Sequence, residues 1–205
     1  MELTYAQKDA LTELINIGYG RAAGALSELT GYRITLEVPR LGMHPIEEIA
    51  PQLSRMVNGE VASVTQVFSG PLSGNALLLL DEKAAVMLSE LLTDEISPSG
   101  GFDSGAREII TEVGNILLNA LLGVFGNLLQ VQVSFAVPRL RVDTIDSVLQ
   151  SISVHDQELS YALMIHTRFR LRANNVSGYL IIILGITSLD RMLAELEKWE
   201  ERQKS

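Results

Sequence analysis

Cysteine is absent from the 205 residues of this chain, which excludes disulfides, thiolate metal centres and a thiol nucleophile. Basic residues are scarce: 16 lysines and arginines stand against 25 aspartates and glutamates, for a formal net charge of −9. That balance argues against nucleic acid as a partner, because displacing counterions from phosphates needs a concentrated basic surface. Histidine occurs three times, as His44, His155 and His166, without metal-ligand spacing to one another or to nearby carboxylates. No Walker or dinucleotide-type glycine loop is present, since Ser99-Gly100-Gly101 lacks the lysine that should follow, and no Gly-x-Ser-x-Gly elbow occurs. The opening segment MELTYAQKDALTE is too charged for a signal peptide, so a cytoplasmic location is expected.

What is abundant is apolar surface. At 47% hydrophobic and 20% charged residues, the chain can bury a sizeable core. One stretch, Val113 to Leu129, approaches the apolarity of a membrane span. It carries Asn115, Asn119 and Asn127, follows Glu108 and Glu112, and falls short of the roughly 20 residues a bilayer needs. A buried central helix is therefore expected there, with no membrane insertion.

The chain repeats itself. Glu13-Leu14-Ile15-Asn16-Ile17 followed by Val38-Pro39-Arg40-Leu41 returns as Glu112-Val113-Gly114-Asn115-Ile116 followed by Val137-Pro138-Arg139-Leu140. The interval from 13 to 112 equals that from 16 to 115 and from 38 to 137, so the register is shared. Ser73-Gly74 and the apolar run after it match Ser177-Gly178 at a longer interval, which places extra residues in the second hairpin region.

Each repeat reads in one order. A long helix (about 5–30 and 104–129) leads to a strand, Tyr32 to Val38 and Val131 to Val137, ended by proline. A less regular segment precedes two further strands, Val61–Phe68 with Asn75–Leu80, and Ala162–Arg170 with Tyr179–Leu184. Residues 69–74 and 173–178 read as the connecting turns, and closing helices span Glu82–Leu92 and Ser188–Arg202. Ser97 to Gly101 joins the halves. The expectation is an α+β fold with antiparallel sheet covered by helices, because such short links allow no parallel crossover. One domain of two repeats (about 1–99 and 100–205) related by pseudo-twofold symmetry is expected, since either half alone would leave a large apolar helix face bare.

Glutamate and asparagine three apart on a helix lie within about 60° around its axis, so their side chains project together. Glu13/Asn16 and Glu112/Asn115 form such carboxylate and amide pairs inside otherwise apolar stretches. An unpartnered buried carboxylate is costly, so an exposed patch is the simpler expectation. A single Glu-x-x-Asn is common; its recurrence in register is what makes it a candidate site.

At these residues the chain resembles the CheC family of chemotaxis response-regulator phosphatases, within the CheC/CheX/FliY superfamily. The family pattern is Asp or Ser, then Glu four on, Asn three further, and a small or amide residue four beyond that. Asp9, Glu13, Asn16 and Gly20 match it in the first copy, and Glu112, Asn115 and Asn119 in the second. Glu108 stands where Asp or Ser is usual, and Arg21 where a smaller polar residue is common.

The resemblance implies dephosphorylation of a phospho-aspartyl, CheY-like response regulator. Asn16 and Asn115 would orient the hydrolytic water, while Glu13 and Glu112 would dock the regulator's lysine. It implies no cofactor of the chain's own, Mg²⁺ being supplied in the regulator's active site. It also implies a self-contained monomer and CheD, a receptor-modifying deamidase, as a further partner. The alternative is a non-catalytic module that binds a response regulator or a flagellar-switch component, because fold does not fix function.

Overall fold

The computed structural model describes residues 3–57, 59–94, 101–153 and 159–203. In chain order the elements are α1 (Tyr5–Thr30), β1 (Ile34–Pro45), α2 (Ile46–Leu53), β2 (Glu60–Ser69), β3 (Gly74–Asp81) and α3 (Glu82–Thr93). Then come α4 (Ser104–Leu128), β4 (Ser134–Phe135), β5 (Arg139–Thr144), α5 (Ile145–Ser153), β6 (Leu159–Leu171), β7 (Asn174–Gly185) and α6 (Ile186–Gln203).

All pairings are antiparallel, in the order β1-β6-β7-β3-β2, with β4 and β5 both on the far edge of β2. With β4 set aside, exchanging the two halves of the chain reproduces this order from the other end. The α+β class with helices over antiparallel sheet is thus as expected.

The two long helices start on matching devices. Thr4 caps α1 by accepting from the Gln7 N–H at 3.2 Å, completed by Gln7 as a capping box. Asp103 caps α4, accepting from the Ala106 N–H at 2.9 Å. Two turns later, Thr12 and Thr111 each donate to the carbonyl four residues back, at 2.7 Å in both helices. Helix α1 ends where Gly31 takes φ 73°, a left-handed cap that glycine adopts without steric cost.

Helices α1, α3, α4 and α6 share one core with one face of the sheet, through residues such as Leu11, Ile15, Leu117, Leu121, Leu78 and Ile182. Helices α2 and α5 cover the opposite face, where Ile49, Leu53, Val148 and Ile152 pack on Leu77, Leu79, Ile181 and Ile183. The central strands β3 and β7 are therefore buried on both sides, which explains their unbroken apolar runs in place of alternation. Helix α4 is, among the described residues, the one long and apolar enough to cross a bilayer, and 56% of its apolar window is buried inside the fold.

The structure corrects several sequence expectations. The first strand starts at Ile34 and does not stop at Pro39; it runs to Pro45, with its register on β6 shifted between Glu37 and Arg40. Edge position and that irregularity accommodate a residue without an N–H. In the second copy only Ser134–Phe135 of the expected Val131–Val137 strand pairs, and a new strand begins after Pro138.

Residues 173–178 are mostly strand. The hairpin turns at Arg172, which adopts φ 56°, and Gly178 serves close packing instead, since a Cβ there would lie 2.8 Å from the Leu79 carbonyl oxygen. The segments read as less regular contain α2 and α5. Most of the expected Ser97–Gly101 linker lies outside the described residues.

Candidate functional site

On α1 the residues at 9, 13, 16 and 20 follow an i, i+4, i+7, i+11 stripe. Asp9, Glu13, Asn16 and Gly20 are all exposed, while Ala10, Leu11, Leu14, Ile15, Gly18 and Tyr19 between them are buried. The helix thus turns its core face inward and its motif outward. Neither Glu13 nor Asn16 engages another described side chain. Arg21, beside the stripe, is also exposed.

On α4 the stripe is Glu108, Glu112, Asn115 and Asn119. Both glutamates are exposed and both asparagines half-buried, over a helix whose Ile110, Val113, Gly114, Leu117 and Leu118 are buried. Here the amides are organised. The Asn119 Nδ2 donates to Asn115 Oδ1 at 2.7 Å, and Gln66 Nε2 donates to Asn119 Oδ1 at 3.0 Å. The same Gln66 nitrogen donates to the Ala136 carbonyl, also at 3.0 Å.

A backbone carbonyl only accepts, so Ala136 fixes which end of the Gln66 amide faces it, and the orientation of each amide after that follows. The relay ends on Asn115, whose Nδ2 has no partner among the described residues and whose Oδ1 accepts one hydrogen bond there. Gln66 is 2% exposed on β2, and its Oε1 is buried without a partner among the described residues. Its amide is therefore held in place for its nitrogen.

The two stripes are brought onto the same side of the sheet by the packing of α1 on α4. At that contact Gly18 lets the helices close up: a Cβ there would sit 3.2 Å from the Leu121 Cα. Beside the second stripe the edge segment from Phe135 to Val137 exposes apolar surface: Phe135 is 40% and Val137 83% exposed, and the Ala136 N–H between them donates to the Val67 carbonyl of β2. Apolar groups rimming a polar cluster in this way are suited to contact with another protein.

Sequence reading located the Glu-x-x-Asn pairs and Asn119, but missed Gln66. A signal was there: Ala62, Val64, Gln66 and Phe68 share one face of β2, and a lone amide on a buried apolar face needs a polar partner.

The fold is a helix-flanked antiparallel sheet that carries two acidic-amide stripes on the same side. The CheC-like family model matches residues 7–43, the segment that holds the first stripe and most of β1. The chain is 27% identical over 146 residues to the CheY-P phosphatase CheC of Bacillus subtilis, covering 70% of this chain and 69% of that protein. It is 25% identical over 133 residues to the putative CheY-P phosphatase CheC1 of Halobacterium salinarum, covering 63% and 66%.

Among solved structures, Thermotoga maritima FliY superposes with a TM-score of 0.77 at 19% identity, covering 97% of this chain and 99% of that one. The FliM middle domain of H. pylori superposes with a TM-score of 0.64 at 11% identity, covering 94% and 99%. The resemblance to the CheC family thus rests on a family model over residues 7–43 and on curated relatives, while the fold is shared with FliY and the FliM middle domain.

Proposed function

We propose that this chain is a phosphatase of a phospho-aspartyl, CheY-like response regulator, acting in the cytoplasm as one domain of two repeats. The observation that carries this reading is a Glu/Asn pair at the same register of two helices, exposed on α1 and with an exposed glutamate and half-buried asparagine on α4, in a chain similar to curated CheY-P phosphatases.

The chemistry follows from what the two side chains can do. In the regulator, Mg²⁺ and a lysine already neutralise the phosphoryl oxygens, so hydrolysis chiefly lacks a water held in line with phosphorus. An asparagine amide both accepts from and donates to such a water. Attack by its oxygen on phosphorus breaks the acyl phosphate P–O bond. The regulator's aspartate leaves as a carboxylate, and inorganic phosphate is released. Glu13 and Glu112, ionised and acceptor-only, pair with the lysine and set the docking register. They position the partner and act as no general base.

The Asn115 amide is already oriented by its relay and supplies N–H donors, as the water requires. The exposed apolar rim of Phe135 and Val137 provides contact area for the regulator. Two stripes in one chain make a monomer sufficient, and CheD is a candidate further partner by family resemblance.

The decisive experiment mixes the full chain with a CheY-type regulator phosphorylated by a small-molecule donor and follows inorganic phosphate. Accelerated release by the wild type, abolished in an Asn16→Ala, Asn115→Ala double variant that still binds the regulator, is the expected result. Binding with no acceleration by the wild type would favour the second reading, a docking module without hydrolysis. That reading draws on the likeness to FliM, which in one solved structure is bound to FliG.

A further inference from the structure

The sheet face opposite α1 and α4 holds a cavity of about 540 Å³ between α2 and strands β1, β6 and β7. Arg40, His44, His166 and Arg168 all line it, with Gln52 and Tyr179, and no lining residue is acidic. In a chain of net charge −9 this is an unusual concentration of cationic and N–H groups.

Pairing brings them together: Arg40 lies opposite His166, and His166 opposite Tyr179, as a row across three strands. The rings of His166 and Tyr179 stack with centroids 5.3 Å apart and planes 23° apart. Met56 and Met164 supply apolar lining beside them.

The groups are also held in place. Arg168 is braced by Glu37 at 3.4 Å, while Arg40 has no carboxylate partner among the described residues. The Gln52 amide nitrogen lies 3.0 Å from His44 Nδ1 and Glu48 Oε2 lies 4.0 Å from the same atom, on the side of the ring away from Nε2. That nitrogen occupies the space above Gly42, where a Cβ would come within 2.6 Å of it. Burial, then the charges of Arg168 and Arg40, hold His166 below its ordinary pKa.

We propose that this cavity binds a mononucleotide-sized aromatic phosphate ester, its phosphate on Arg40 and Arg168 and its flat ring against the His166–Tyr179 pair. Paired guanidiniums suit a phosphate dianion, which accepts several N–H bonds at once. The volume suits a small organic ligand far better than a lone inorganic ion. The site is separate from the Glu/Asn stripes, so it stands or falls independently of the phosphatase reading.

The test titrates AMP, GMP, CMP and UMP, with inorganic phosphate and adenosine as controls, into the full chain by calorimetry. At least one nucleotide should bind more tightly than both controls. Arg40→Ala, at an exposed position that leaves the core intact, should weaken it about tenfold or more. Gly42→Val, which displaces the His44 ring, should weaken it too, whereas Asn16→Ala with Asn115→Ala should leave it unchanged. Four nucleotides that bind no better than phosphate would overturn the proposal. So would adenosine binding as tightly as AMP, or Arg40→Ala binding that matches the wild type.

Discussion

The Asn119 amide nitrogen donates to the Asn115 carboxamide oxygen at 2.7 Å, and the direction of that bond is set from a strand away, by the Ala136 carbonyl acting through Gln66. Half-buried Asn115 therefore presents an oriented donor to whatever approaches, where exposed Asn16 has no such hydrogen bond among the described residues. Holding a reacting group in place ahead of time lowers the barrier by the entropy that would otherwise be lost in the transition state. Asn119→Ala or Gln66→Ala, each made in an Asn16→Ala background so that only the second stripe works, should lower phosphate release on the order of tenfold. Regulator binding should change little. A turnover equal to that of Asn16→Ala alone would show that the relay has no role in positioning.

The first stripe lacks this support because Gly20 stands where the second has Asn119. Asn115→Ala is accordingly expected to cost more activity than Asn16→Ala. Gly20 lies in open space, with nothing within 4 Å of a would-be Cβ, so an asparagine fits there without strain. Gly20→Asn in the Asn115→Ala background should raise the remaining phosphate release severalfold. A simpler companion, Gly20→Ala, should stabilise the fold by about 0.5–1 kcal/mol in urea melts, because an exposed helical glycine is entropically costly. Loss of stability in Gly20→Ala would mean that the helix needs glycine there for a close contact.

Sequence pattern revealed α1 and α4 nearly residue by residue, because each is 25 or more residues long and its apolar positions recur over many turns. It failed where one signal had to stand alone. Helices α2 and α5 are only 8 and 9 residues long, too short for a 3.6 period to outweigh Pro51 in the one and the polar Ser147 and Ser151 in the other. Asn174-Asn175-Val176-Ser177-Gly178 has the composition of a turn, yet pairing with the long β6 makes it strand.

The same contrast holds for the sites. Glu13 and Asn16 are neighbours in one helix and could be paired on paper, whereas His44 and His166 share a cavity only through the β1–β6 ladder. Gln66 reaches Asn119 only because β2 runs beneath α4.

Gly114 sits where α4 presses on that strand. A Cβ at this position would come 2.5 Å from Val64 Cγ1 and 2.7 Å from Val64 Cβ, both on the rigid, branched part of a buried side chain. Gly114→Ala is expected to destabilise the protein by about 1–3 kcal/mol, the cost of overpacking exceeding the gain in helix propensity. Adding Val64→Ala should relieve the clash, so the double variant loses less than the two single losses together. Denaturant midpoints at unchanged m-value provide the measurement. Strictly additive losses would show that α4 moves aside instead.

The deepest polar contact beneath α1 is the hydrogen bond between the Tyr19 hydroxyl and Thr167 Oγ1 on β6. Tyr19 is 1% exposed, and burial raises the pKa of its phenol well above the usual range, which keeps the hydroxyl protonated. Thr167 has one weaker outlet, the Ile165 carbonyl at 3.4 Å. Tyr19→Phe should therefore cost about 1–3 kcal/mol, chiefly by stranding a buried hydroxyl, and Thr167→Val should cost a similar amount. With both polar atoms gone nothing is left unsatisfied, so Tyr19→Phe with Thr167→Val should be no less stable than either single variant. A double-mutant cycle showing no coupling would mean that the two hydroxyls do not bond across the helix–sheet interface in solution.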